Sequence, residues 1–251
     1  IEKNKYQSFL SCICDVYARE VFNNSSLSLK EFKKILIDSI SLDDFISHNN
    51  GNLTSIFLSK DIDENYLNEF IIEEKYKDSF FYKILDLKNT NQVFLYKKII
   101  NAYQNFIKYI ESNNNYIDYT YLWDIICKPN NKLFHNGINL IILDITNDDL
   151  TNNVKVICPK QNYSNEFLDE NKLSLILIKN NEIFEPIYGV KDTLKLNQRV
   201  LYLFSFKKEI DDIQLNEFKK VLNIIKNDIN ENCLGKIGES NKQYTFEKNL
   251  T

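Results

Sequence analysis

The chain has 251 residues, 43% hydrophobic and 13% aromatic, which is enough apolar material for a sizeable buried core. Its formal net charge of -4, with lysines scattered among acidic residues, argues against a duplex nucleic-acid binder, because such proteins concentrate basic residues on one face. No apolar run reaches the roughly 18 residues that a membrane-spanning helix needs, and the first residues lack the pattern of a secretory signal. We therefore expect a folded protein that binds neither duplex nucleic acid nor membranes.

The cysteines bear on the cellular compartment, and the first residue bears on whether the chain is a fragment. Five cysteines, an odd number, lie mostly in apolar runs, which predicts reduced thiols and a reducing compartment. Cys12 and Cys14 are two apart on a predicted helix and project about 200° apart, so they cannot share a metal ion. The sequence predicts no metal site and no cofactor. Because the chain begins with Ile and contains no Met, we expect a fragment of a larger protein.

The first half of the chain has the apolar spacing of helices. A stripe from Tyr6 to Tyr17 begins the series, and Ser28 with Glu31 forms a capping box ahead of the next helix. A short capped turn is predicted at 41–46, followed by a break at Asn50-Gly51-Asn52 and the apolar residues Leu53, Ile56 and Phe57. Shorter helices are predicted at 64–73, 79–86 and 119–127. The strongest pattern, Tyr96 to Ile110, predicts one long helix that ends at the polar run 112–115.

The second half changes character to strands. Apolar runs predict strands at 138–145, 153–158, 173–179, 182–188 and 200–206, followed by a helix at 212–229. We interpret the chain as one α/β (α+β) domain over 1–251. Its helical half, 1–127, packs on a mostly antiparallel sheet within 138–229, and 234–251 forms an extended tail.

Several runs resemble large multidomain proteins of nucleocytoplasmic giant DNA viruses. The resemblance lies in QSFLSCICDVY near the start, LDDFISHNNGNL at 42–53, IDYTYLWDIICKPNNKLFHNGINLIILDITNDDLTNN at 117–153, VICPKQNYSNEF at 156–167, LSLILIKNNEIFEPIYGVKD at 173–192, and YTFEKNL at 244–250. This resemblance implies a viral protein of the host cytoplasm, in the viral factory, or of the virion. It implies no particular activity.

A second resemblance is to viral ovarian-tumour (OTU) type deubiquitinases, which have a papain-like fold. The run QSFLSCI places Ser8 where that family has its nucleophilic Cys, and IFEPIY places Glu185 near its His. Both changes remove the pairing of thiolate and imidazole on which the chemistry depends. The resemblance therefore implies a catalytically degenerate OTU-like interaction domain. Its implied partner is a protein, for which a ubiquitin-like protein is a candidate.

The predicted binding surface lies where the first helix meets the hairpin near residue 180. Its seven residues are Ser8, Asn50, Gly51, Asn52, Asn136, Glu185 and Tyr188. No catalytic residue is assigned to it.

Two alternatives stay open. Cys12 or Cys14 with His48 or His135 as base would permit an active cysteine peptidase or deubiquitinase, although packed cysteines, a capping His48 and an exposed His135 are the simpler interpretation. A structural virion or assembly domain would show neither a cleft nor a perturbed titratable group. Asp144, Asp148 and Asp149 could form a carboxylate metal site, but a solvated turn is favoured there.

Overall fold

The computed structural model describes residues 4–22, 27–145, 154–159, 167–191, 199–207 and 216–233. The predicted tail, 234–251, and the acidic pair Asp148–Asp149 lie outside these ranges. The helices are α1 Ser8–Glu20, α2 Leu29–Asp38, α3 Leu42–Ser47, α4 Leu53–Phe57, α5 Glu64–Glu69, α6 Glu74–Lys77, α7 Phe80–Lys83, α8 Thr90–Glu111, α9 Trp123–Cys127 and α10 Asn216–Asn232. A 3-10 turn, His48–Gly51, joins α3 to α4.

The long helix α8 is the centre of the helical layer, as its pattern predicts. Its buried stripe includes Tyr96, Ile99, Ile100, Phe106 and Ile110. Helices α2, α3, α4 and α5 pack around it. Lys33 of α2 is buried, and its Nζ donates to Ser112 O at 2.9 Å, so a lysine satisfies a carbonyl at the C-terminal end of α8.

The strands form a four-stranded sheet and a separate pair. They are β1 Ile138–Ile145, β2 Val154–Val156, β3 Leu173–Asn180, β4 Ile183–Pro186, β5 Gly189–Lys191 and β6 Arg199–Leu201. The large sheet has the order β2-β1-β3-β4, and β5 pairs with β6. Strands β2 and β4 are antiparallel to their neighbours, whereas β1 and β3 run parallel over eight residue pairs.

The α+β class is confirmed, but the sheet is mixed at its centre. The chain passes from β2 on one side of β1 to β3 on the other, which makes the longest pairing parallel. Both central strands are largely buried, as is usual for parallel strands covered on both faces. An apolar run predicts a strand without giving its direction, and for this reason the sequence did not predict the parallel pair.

Side chains from the two faces of the sheet meet different helices. Phe184 of β4 packs on Phe9 of α1, with ring centroids 5.2 Å apart. Phe204 exchanges two backbone hydrogen bonds with Ser174 of β3, and its ring lies 4.8 Å from that of Phe218 on α10. Because Ser174 alternates with the β3 residues on the Phe184 face, α1 and α10 cover opposite faces.

The expectation of five reduced cysteines is wrong for one pair. Cys158, just after β2, and Cys233, just after α10, form a disulfide across 75 residues of sequence, with Cα atoms 5.1 Å apart. Contacts between α10 and β2 bring the two residues together, and their separation in sequence carries no sign of it. Cys12, Cys14 and Cys127 are free thiols. The predicted reducing compartment therefore loses the support of two of the five cysteines.

Candidate functional site

The seam between α1 and β4 contains Ser8 and Cys12, two of the three α1 residues considered as present or former nucleophiles. Ser8 Oγ accepts a hydrogen bond from the Phe184 amide at 3.2 Å, and Cys12 Sγ donates to the Phe184 carbonyl at 3.2 Å. These two backbone groups belong to an edge strand, where they would otherwise lack a partner. Ser8 and Cys12 thus close the outer edge of β4, and both side chains are buried.

Both α1 thiols are protonated at neutral pH. Burial, together with the nearby carboxylates of Asp15 and Glu185, raises the pKa of Cys12 to about 12. Burial also raises the pKa of Cys14 to about 11, and its Sγ lies 3.7 Å from Leu27 O. A cysteine nucleophile requires the thiolate, which both surroundings disfavour.

Neither histidine is paired with a thiol. His135 is exposed, as expected, and its Nδ1 lies 2.9 Å from Asn131 Oδ1. His48 is buried at the end of α3, and within the described residues neither of its ring nitrogens has a hydrogen-bond partner. Burial, aided by the charge of Lys128, lowers the pKa of His48 to about 4. Within the described residues, no thiol is hydrogen-bonded to an imidazole.

The predicted Asn50-Gly51-Asn52 segment belongs to a left-handed turn that anchors α3 to α9. Asn49, Asn50 and Gly51 have φ values of 53°, 55° and 80°. The Asn49 amide donates to Oδ2 of the buried Asp124 on α9 at 2.7 Å. Asn tolerates this conformation better than most residues, and Gly adopts it freely, which explains the composition of the turn.

Asn136 lies at the other end of the sheet from Glu185. It precedes Gly137, where an added Cβ would lie 2.5 Å from Cys127 O, so the start of β1 is pressed against the end of α9. Glu185 pairs with Ile178 of β3, which in turn pairs with Leu143 of β1. Leu143 lies roughly 17 Å along β1 from the first residue of that strand.

The seven predicted surface residues therefore form two groups. Glu185 and Tyr188 lie exposed along the α1–β4 seam beside the buried Ser8, whereas the Asn turn and Asn136 lie near α9.

Tyr188 belongs to a cluster that sequence reasoning missed. Its hydroxyl donates to Asp15 on α1, and its ring meets that of Tyr202 at 5.0 Å. Arg19 bonds Asp15 at 2.9 Å and lies 5.0 Å from the centre of the Tyr202 ring. This cluster attaches the β5–β6 pair to α1. The sequence signal for this cluster was the spacing of Asp15 and Arg19, which lie four residues apart on a helix and can therefore form an ion pair.

An open cleft of about 980 Å³ lies between the end of α2, the start of α3, helix α6 and the middle of α8. Its lining includes Asp43, Ser79 and Tyr103 but no Cys or His. The Tyr103 hydroxyl donates to Ile40 O at 2.7 Å, and burial raises its pKa to about 12. The hydroxyls of the cleft serve packing and helix capping: Ser41 Oγ donates to Asp44 Oδ2 at 2.6 Å within the capping box of α3.

The largest exposed apolar side chains of the described residues include a set beside this cleft. Phe80, Ile84 and Leu87 are 61%, 57% and 62% exposed. Phe80 and Ile84 are one helical turn apart, so they share a face. The Phe80 amide donates to Asp43 Oδ2 of the cleft wall at 2.9 Å. We call Phe80, Ile84 and Leu87 the α7 ridge.

The α7 ridge was absent from the sequence-based surface, although a signal for it existed. The run FFYKIL at 80–85 has apolar residues on more than one side of a short helix. Phe81, Tyr82 and Leu85 pack against the core, which leaves Phe80 and Ile84 facing outward. A short helix that is apolar all round cannot bury every face unless elements cover it on all sides.

Three further observations concern possible metal ligands and membrane-spanning helices. Within the described ranges, no three His, Cys, Asp or Glu side chains are grouped so as to hold a metal ion. Asp144, from the predicted carboxylate set, lies 3.5 Å from Lys179 Nζ. None of the helices in the part of the chain that the structure describes combines the length and apolar character needed to cross a bilayer.

Comparison of the chain with protein-family models, curated proteins and solved structures finds no match. Its function is therefore argued from its own geometry.

Proposed function

We propose that this chain is a protein-interaction domain that performs no covalent chemistry. The α7 ridge carries the proposal, because three large apolar side chains, each more than half exposed, lie within eight residues. A cluster of exposed apolar side chains of this kind marks a binding surface. Phe and Ile contribute strongly to the binding free energy once a partner excludes water from them.

The α1–β4 seam supports the non-catalytic part of the proposal. Ser8 and Cys12 are engaged with the backbone of Phe184, and the nearby thiols are held protonated by burial. The active peptidase alternative needs a thiol within hydrogen-bond reach of an imidazole. The described residues contain no such pair. The OTU-type resemblance then corresponds to a catalytically degenerate domain, whose first candidate partner is a ubiquitin-like protein.

The non-catalytic part is tested with ubiquitin-like suicide probes. We expect the purified wild-type protein, and its Ser8→Ala, Cys12→Ala and Cys14→Ala variants, to show no covalent labelling. Labelling of the wild type that one of these variants abolishes would identify a working nucleophile and overturn the proposal.

The binding part is tested by placing the photo-crosslinking residue benzoylphenylalanine at position 84, with position 71 as the control. Ile71 is 84% exposed and lies outside the α7 ridge. With purified ubiquitin or host-cell extract, we expect an adduct at position 84 that excess wild-type chain suppresses and an Ile84→Glu chain does not. Adducts of equal yield at both positions, or none that competes, would contradict the proposal.

A further inference from the structure

The chain contains two Asn-Gly dipeptides, and the structure places them in different surroundings. Asn50 and Gly51 are both exposed, in the 3-10 turn that joins α3 to α4. Asn136 is exposed as well, but Gly137, immediately before β1, is buried. The same dipeptide therefore occurs once with its glycine in water and once with its glycine in the protein interior.

An Asn that precedes Gly is prone to lose its side-chain amide without an enzyme. The main-chain nitrogen of the glycine attacks Cγ of the Asn, so that an N–Cγ bond forms and the Cγ–Nδ2 bond breaks. Ammonia leaves with the proton that the glycine nitrogen gives up, and a five-membered imide ring remains. Water then opens the ring at one of its two carbonyl carbons, which yields either an aspartate or an isoaspartate. Glycine favours ring closure because it has no Cβ to obstruct it.

The space around each glycine decides whether the ring can form, because the chain must rotate to bring the glycine nitrogen onto Cγ. An added Cβ at Gly51 meets only Ile46 O, at 3.6 Å. At Gly137 it would lie 2.5 Å from Cys127 O and 2.9 Å from Pro129 N. The turn at Gly51 thus has room for ring closure, whereas the packed backbone around Gly137 prevents it.

The two products of the reaction differ in their effect on the turn. The Asn49 amide, next in the chain to Asn50, donates to Oδ2 of the buried Asp124 at 2.7 Å. An isoaspartate at position 50 lengthens the main chain beside this hydrogen bond by one methylene. An aspartate there adds only a negative charge at an exposed position. We therefore expect the isoaspartate, and not the aspartate, to disturb the contact between α3 and α9.

We infer that Asn50 is a site of spontaneous deamidation in the folded protein, and that the fold protects Asn136 from the same reaction. Isoaspartate formed at position 50 loosens the attachment of α3 to α9 as the protein ages. This modification site is separate from the α7 ridge, and it does not depend on the proposed function.

Peptide mapping by mass spectrometry, after incubation of the purified chain at mildly alkaline pH, tests the inference. In the folded protein we expect Asn50 to be converted at least about tenfold faster than Asn136, whose reaction requires local opening at the start of β1. In urea, where both glycines are in water, the two rates should agree within about threefold. Asn50→Gln is the matched control, because its side chain would have to close a six-membered ring, and we expect position 50 of this variant to stay unmodified.

The possible results decide between the two sites. Equal rates at Asn50 and Asn136 in the folded protein would show that the fold does not discriminate between them, and would overturn the inference. An Asn50 that reacts in urea but stays intact in the folded protein would also overturn it, because the turn would then be protective.

A second measurement tests the effect on α3. Ion exchange separates the deamidated chain from the unmodified one, and labelling by an isoaspartate methyltransferase measures its isoaspartate content. We expect the isoaspartate form to unfold at a lower urea concentration than the wild type. Asn50→Asp adds the same charge without lengthening the main chain, and it should unfold at the wild-type concentration. An isoaspartate form as stable as Asn50→Asp would refute the loosening of the contact between α3 and α9.

Discussion

His48 shows how burial, as the largest of several effects, shifts the pKa of a titratable group. Its ring nitrogens lack hydrogen-bond partners within the described residues, and its pKa is lowered to about 4 by burial. In the unfolded chain the pKa is about 6.5. Between these values the unfolded state binds a proton that the folded state excludes, so the free energy of unfolding falls as the pH is lowered from 6.5 to 4.

We predict that this loss amounts to about 3 kcal/mol and that His48→Leu abolishes it. At pH 7 the substitution should be neutral or stabilising, because no ring hydrogen bond is lost. Urea unfolding at pH 7 and pH 4.5 measures both effects. His135→Leu is the control, since His135 is exposed and should leave the pH dependence intact. An unchanged slope in His48→Leu would show that another group governs acid stability.

Two glycines with positive φ should respond differently to substitution. Gly51 and Gly137 have φ values of 80° and 68°. An added Cβ at Gly51 meets only Ile46 O at 3.6 Å, whereas at Gly137 it would lie 2.5 Å from Cys127 O and 2.9 Å from Pro129 N.

We predict that Gly51→Ala lowers the free energy of unfolding by about 1 kcal/mol, from backbone strain alone. Gly137→Ala should lower it by about 3 kcal/mol or more, because the backbone of α9 must also move. Chemical denaturation of the two variants checks the difference. Equal losses of unfolding free energy in the two variants would mean that the start of β1 shifts to accept the added Cβ without an energetic cost.

At the scale of elements, the contact between α1 and β4 gives Ser8 a structural role. Its hydroxyl accepts from the Phe184 amide, which belongs to the outer edge of the sheet. Ser11, on the same helix, is half-buried, and its side chain makes no hydrogen bond within the described residues.

We predict that Ser8→Ala destabilises the protein by about 2 kcal/mol, because it leaves a buried amide without a partner. Ser11→Ala should change stability by less than about 0.5 kcal/mol. Thermal and urea unfolding of both variants decide the matter. A harmless Ser8→Ala substitution would imply that water or a shift of β4 replaces the hydroxyl.

Local sequence patterns predicted the helices and the main strands well. The capping box of Ser28 and Glu31 is present, with the Ser28 amide 2.9 Å from Glu31 Oε2. The long α8 follows from apolar residues spaced by one helical turn, since that spacing sets a buried face wherever the helix packs. Pairing direction depends instead on where distant segments meet, and for this reason the parallel pairing of β1 and β3 was missed.

At the scale of the whole molecule, the disulfide ties the edge of the sheet to the last helix described. Cys158 and Cys233 close a loop of about 75 residues, and such a loop restricts the unfolded chain strongly. We predict that dithiothreitol lowers the free energy of unfolding by up to about 4 kcal/mol.

Urea unfolding with and without reductant measures this effect. Cys233→Ser should be less stable than the wild type and should show no further response to dithiothreitol. Cys127→Ser, which removes a free thiol, should keep the full response. Five reactive thiols in the unfolded wild type without reductant would contradict the prediction.

In the candidate site, too, some features could be predicted from the sequence and others could not. The predicted surface placed the start of α1 beside the hairpin near residue 180, and in the structure Ser8 of α1 contacts Phe184 of β4. The sequence did not indicate that Ser8 is buried, nor that Asn136 lies at the far end of β1. Exposure depends on which elements cover a residue, and no local pattern records that.

The amino-acid sequence by itself determined which segments become helices or strands and which of their faces must be buried, because spacing and capping act over a few residues. Tertiary structure decided the rest. It paired β1 with β3, joined Cys158 to Cys233, placed the side chains of Ser8 and Cys12 against the edge of β4, and left the α7 ridge exposed. Each of these outcomes depends on contacts between residues far apart in the chain, whose partners are chosen by the packing of the whole core.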